Sequence, residues 1–81
     1  MTNVSMDDIK KLVGLQLGAR EVEEDSQLVE DLSAESADVA NIVAVLEEKY
    51  QIKVKETEMV KLHTPTDLFE LVKKHISLRG Q

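Results

Sequence analysis

The sequence predicts an all-α fold: three substantial helices, one short helix and a long loop after the first. Apolar residues recur at helical spacing in three stretches, and residues suited to capping precede them. The one alternating run, Gln51-Ile52-Lys53-Val54-Lys55, has no evident partner strand and reads as an extended connection. At 81 residues this is a single domain, with its core expected over about residues 5–77.

The first helix is expected to begin at Ser5, whose hydroxyl can cap it, with Asp7 and Asp8 in the first turn. Met6, Ile9, Leu12, Val13 and Leu17 fall on one face, Leu15 falls off it, and Gly18 suits the residue just past the end. Residues 19–35 then make a long acidic connection with Val22, Leu28, Val29 and Leu32 as expected anchors. Long connections inside compact domains are often functional. The second helix spans Ser36–Tyr50, with Val39, Ile42, Val43, Leu46 and Tyr50 inward. Asp38, Asn41, Ala44, Glu47 and Glu48 lie away from that stripe. Residues 56–62 predict the short helix, with Met59, Val60 and Leu62 turned inward. Thr64, Pro65 and Asp67 give the last helix a cap, a first residue and a reciprocal cap. Its buried face is Leu68, Leu71 and Val72 with Ile76 or Phe69, and Arg79-Gly80-Gln81 is expected to fray.

Hydrophobic residues make up 42% of the chain, which places it among globular proteins, and Tyr50 and Phe69 are its only aromatics. The core must therefore be aliphatic. There is no cysteine, hence no disulfide and no thiolate chemistry. No run approaches the length needed to span a bilayer, and the first residues lack a secretory pattern, so a soluble cytoplasmic protein is expected. The net charge of −6 is unevenly spread. Residues 21–48 hold ten acids and no lysine or arginine, while the remainder holds six acids and ten bases. Such a stretch disfavours nucleic acid and anionic membranes and attracts basic protein patches. It also serves as an ordinary solvated face; its position around Ser36 favours docking.

Ser36 is the residue that carries most. It opens a helix within Asp31-Leu32-Ser33-Ala34-Glu35-Ser36-Ala37-Asp38. Unpaired amides and the positive end of the macrodipole favour an anionic oxygen there, so the hydroxyl is well placed to hold a phosphodiester. Serine is also a favoured helix cap, and local pattern alone favours that plainer reading. A hydrolytic nucleophile would need a base and an orienting acid. His63 and His75 belong to no such motif and read as surface or capping residues. The acidic pairs lack the alternation and glycine of a calcium loop, so no metal site is expected. Gly14, Gly18 and Gly80 form no phosphate-cradling loop. Nothing in the sequence builds an active site.

Gly14-Leu15-Gln16-Leu17-Gly18, Val29-Glu30-Asp31-Leu32, Ser36 followed by Asp38, and Leu46-Glu47-Glu48-Lys49-Tyr50 occur in the order and near the spacing of one family. Over residues 6–76 the chain resembles the acyl carrier proteins. The resemblance implies a four-helix bundle of acyl-carrier type and no enzymatic activity of its own. Ser36 would receive 4′-phosphopantetheine from coenzyme A through a phosphopantetheinyl transferase. Acyl intermediates would then travel as thioesters to enzymes of lipid or secondary-metabolite synthesis that carry basic docking patches. Fatty-acyl, polyketide, aminoacyl and D-alanyl cargoes all fit it.

The same resemblance implies that Glu35, Ala37, Asp38, Ala40, Asn41, Ala44, Glu47 and Glu48 face partners. Departures from the family pattern are Ser33 for glycine, Glu35 for aspartate and Ala37 for leucine. Ala40, Asn41 and Ala44 likewise replace a larger apolar residue, a glutamate and a bulky residue. These changes predict a specialised carrier with dedicated partners and a selective transferase; a monomer is expected. The alternative is an unmodified adaptor of the same fold that binds proteins through its acidic face.

Overall fold

Ser5 has extended backbone and turns its hydroxyl to accept the Asp8 amide at 3.1 Å, which starts α1 (Met6–Leu17). The helix stops at Gly18, whose φ of 67° is left-handed; its amide and that of Ala19 (3.0 Å) both point to the Gly14 carbonyl. The protein's structure, a computed structural model, describes residues 3–79. It continues through α2 (Ser36–Tyr50), α3 (Glu56–Met59) and α4 (Pro65–Arg79), with no strand among the described residues. Thr64 and Asp67 cap α4 reciprocally. The Asp67 amide donates to the Thr64 hydroxyl at 3.2 Å, and the Asp67 carboxylate accepts the Thr64 and His63 amides.

α1 packs against α2 and α4, and α2 against α4. α1 and α2 run antiparallel, since Asp8 at the start of one lies by Tyr50 at the end of the other. Burial, and then the Asp8 carboxylate, push the Tyr50 phenol above its ordinary range. Ile9, Val13, Leu28, Ile42, Leu46, Leu68 and Val72 are wholly enclosed. No polar or charged side chain is buried among the described residues, so apolar packing makes up the core between the helices. The aliphatic core expected from composition is present, with Tyr50 joining it.

Four expectations need correction. Val29 is 62% exposed because 28–32 form a turn that directs only Leu28 and, in part, Leu32 inward. Val60 is 73% exposed because α3 ends at Met59, short of the expected 56–62, and residues 60–61 turn outward. His75, expected as a surface or capping residue, is half-buried, and its Nε2 lies 3.1 Å from the Glu58 carboxylate. Arg79 remains within α4, while Gly80 and Gln81 lie outside the described residues.

Candidate functional site

The connection 19–35 leaves α1 through the Ala19–Gly14 bond and is sewn further along to the start of α4. The Leu28 amide donates to the His63 carbonyl at 2.8 Å, and both the amide and hydroxyl of Thr66 donate to the Glu24 carbonyl. Within it, the Asp31 carboxylate accepts the Gln27 amide at 2.8 Å, and the Ala34 amide donates to the Leu28 carbonyl at 2.8 Å. Ser33 takes a φ of 59°, a left-handed conformation that glycine adopts without strain. The path is fixed by bonds at both ends of this turn, and it delivers the chain to Ser36 with Ala34 buried beneath.

Ser36 is the first residue of α2, and Glu35 holds the cap position before it. The reading of Ser36 as the helix cap is thereby corrected: a residue already in helical geometry cannot turn its hydroxyl onto the next amides. The Asp38 carboxylate instead accepts the Glu35 amide at 2.9 Å. Ser36 is exposed, and no group among the described residues bonds its hydroxyl. The Ser36 and Ala37 amides precede the first helical acceptor, since the Glu35 carbonyl is taken by Val39 at 3.1 Å. The 15-residue helix therefore presents a free hydroxyl, unpaired amides and its positive end together. These groups fit an attached phosphodiester: there is room for it, donors near it, and no buried carboxylate facing it.

Ala37, Ala40, Asn41, Ala44 and Glu48 are exposed and follow Ser36 along one side of α2; Glu35 is exposed just before it, and Asp38 is partly covered in the first turn. Val45, 39% exposed, adjoins Asn41 and Glu48 one turn away on either side; sequence reasoning passed over it because nothing polar marks it. Glu47 stands apart. Its carboxylate turns to the following connection and accepts the Val54 amide at 2.9 Å. His63 is exposed, remote in role from Ser36, and works through its backbone. No cluster of three or more metal-binding side chains occurs, and no helix is long and apolar enough to cross a membrane, among the described residues.

A family model described as "Phosphopantetheine attachment site" matches residues 7–72, a span that contains the whole region just described. The acyl carrier protein of Chlamydia felis is 39% identical over 69 residues, which cover 83% of this chain and 88% of that protein. The acyl carrier protein of Wolinella succinogenes is 43% identical over 68 residues, or 82% and 90% of the two chains. That of Buchnera aphidicola is 34% identical over 70 residues, or 84% and 90%. A helical bundle with an exposed serine at the head of α2, matched by these relatives over most of its length, belongs to the acyl carrier protein family.

Proposed function

We propose that Ser36 is the attachment point of the 4′-phosphopantetheine this family carries, and that the exposed side of α2 docks the enzymes that load and unload it. The observation that carries the reading is the free hydroxyl of Ser36 at the first helical position. When bound, the group supplies a thiol for thioester linkage, which the cysteine-free chain lacks. In the loading step the Ser36 oxygen forms a bond to the pantetheine phosphate of coenzyme A. The 3′,5′-ADP leaves, and the hydroxyl proton passes to a base of the transferase. The chain presents the oxygen and keeps it clear of competing hydrogen bonds. The unpaired amides and helix dipole favour the resulting phosphodiester charge.

Glu35, Asp38 and Glu48 give the docking face its negative charge, and Glu47 adds to the field from its place against Val54. Such a field steers basic partners and raises association rates. Ala37, Ala40, Asn41 and Ala44 make the same face shallow. Where a leucine-sized side chain is trimmed to alanine, on the order of 1–2 kcal/mol of interface burial is absent. That supports dedicated partners whose own surfaces supply the bulk, and a transferase tolerant of Glu35-Ser36-Ala37. The cargo classes stay those of lipid or secondary-metabolite synthesis.

Incubation with coenzyme A and several phosphopantetheinyl transferases, followed by intact-mass measurement, tests this. Wild type should gain one prosthetic group and Ser36→Ala none. A gain on Ser36→Ala, or none on wild type with any transferase, overturns the assignment.

A further inference from the structure

The outward side of α1 carries charge opposite to that of the α2 face. Lys10, Lys11 and Leu15 from α1, with Arg20 and Val22 from the following connection, line an open groove of about 460 Å³ against Gly14. No carboxylate lines it. Among the described residues the only acid–base contacts at ion-pair distance are those of Glu58 with Lys74 and His75, so all three groove cations lack such a partner. Asp7, one turn before Lys11, and Glu21, next to Arg20, temper the field without entering the groove. Leu15 is 84% exposed, more than any other large apolar residue described.

One exposed leucine needs no explanation. A leucine ringed by three uncompensated cations is different, in a chain of net charge −6. The ring makes the patch complementary to an apolar side chain carried between carboxylates, and hostile to the basic surfaces that suit α2. Position adds to this. Because α1 and α2 are antiparallel, the second half of α1 lies toward the end of the bundle where α2 begins.

We propose that this groove is a second docking surface, which takes an acidic segment of a partner protein bearing an apolar residue that packs on Leu15 and Val22. Carboxylates of the segment pair with Lys10, Lys11 and Arg20. The occupant is a protein segment, not an anionic lipid surface, because a membrane sheet also meets the field of the ten acids in 21–48 and is repelled. A short segment meets the groove alone. The proposal stands apart from attachment at Ser36 and survives its failure.

The test is an amide-resolved NMR titration of the full chain with a peptide of glutamates flanking a central pair of leucines. Shifts should centre on residues 10–22 and weaken with added salt. Binding should fall about tenfold in the Lys11→Glu/Arg20→Glu double variant, whose charges are reversed at the rim. It should also fall in Leu15→Ser, which keeps the charge, and an all-glutamate peptide of equal charge should bind more weakly than the leucine-bearing one. Unchanged amide dispersion verifies that the variants fold. Equal binding of the two peptides, shifts centred on the lysines of 49–74, or indifference to the substitutions overturns the proposal. So does concentration-dependent shifting of the protein alone, which assigns the groove to a second copy, or Leu15-dependent sedimentation with phosphatidylglycerol vesicles, which assigns it to lipid.

Discussion

The Glu58 carboxylate lies 3.1 and 3.2 Å from Nε2 of His75, joining the one-turn helix α3 to the last turns of α4. Two further contacts converge on it, and the chain partly covers it: the Lys55 amide donates to it at 3.0 Å and Lys74 approaches at 3.5 Å. The Lys55 amide first, then His75 and Lys74, hold this carboxyl below the ordinary glutamate range against the opposing effect of burial. A depressed acid stabilises the folded state above its unfolded pKa, about 4.3, and that contribution is lost as pH falls through the lower folded value. Urea midpoints followed from about pH 7 to about pH 3 should show wild type more stable than Glu58→Gln at the upper end, with the difference closing below about pH 4.3. A difference constant over that range would mean that Glu58 titrates normally.

Ser36 and Asp38 are two residues apart and do separate work. Ser36→Ala removes an exposed hydroxyl without a bonded partner, and should move the unfolding free energy by less than about 0.5 kcal/mol. Asp38→Ala frees the Glu35 amide and should cost about 1 kcal/mol, as loss of a helix cap does. Chemical denaturation of the two variants checks both values. A large loss in Ser36→Ala would show that the hydroxyl is structural.

Among the described residues, two left-handed residues other than glycine close turns: Ser33 at φ 59° and Gln51 at φ 55°. Such a conformation costs a side-chain-bearing residue roughly 1–2 kcal/mol. Ser33→Gly should therefore raise stability by about 0.5–1 kcal/mol after glycine's greater unfolded freedom is counted. Gln51→Gly should gain less, because the Gln51 side chain donates to the Glu48 carbonyl at 2.7 Å. Ser33→Val, β-branched, should lose stability. Denaturant midpoints rank the three variants.

Leu46, 1% exposed, fills the centre of the α2 stripe. Leu46→Ala should cost about 2–5 kcal/mol through the cavity left behind. Leu15→Ala, on the exposed side of α1, should change stability by less than about 0.5 kcal/mol. Parallel thermal or urea unfolding of the two variants checks the contrast.

Helix limits were legible where local chemistry marks them. Ser5, Gly18 and the Thr64-Pro65-Asp67 group act within a few residues, so the signal and the structure coincide. The α2 stripe was legible for the same reason: its period is that of the helix. Loop apolar residues have no period, so Val29 and Val60 could be counted as apolar but not given a direction. The left-handed turn at Ser33 carries no glycine to announce it. Glu58 meets His75, and Glu24 meets Thr66, across separations that no local pattern encodes. At the candidate site, the serine and its place at the start of α2 were legible, while the cap at Glu35 was not. The groove on α1 escaped notice because Arg20 lies beyond the helix end, where the helical period no longer gives its direction relative to Lys10 and Lys11.

The bonds from Leu28 to His63 and from Thr66 to Glu24 have a consequence for the order of assembly. The ribosome delivers Ser36 well before the residues that brace the loop leading to it. Until α4 has begun to coil, that loop lacks its distant fasteners and the serine stands on an unfinished mount. Any partner that recognised the folded surface around this hydroxyl, and not a bare peptide, would therefore have to wait for the start of α4.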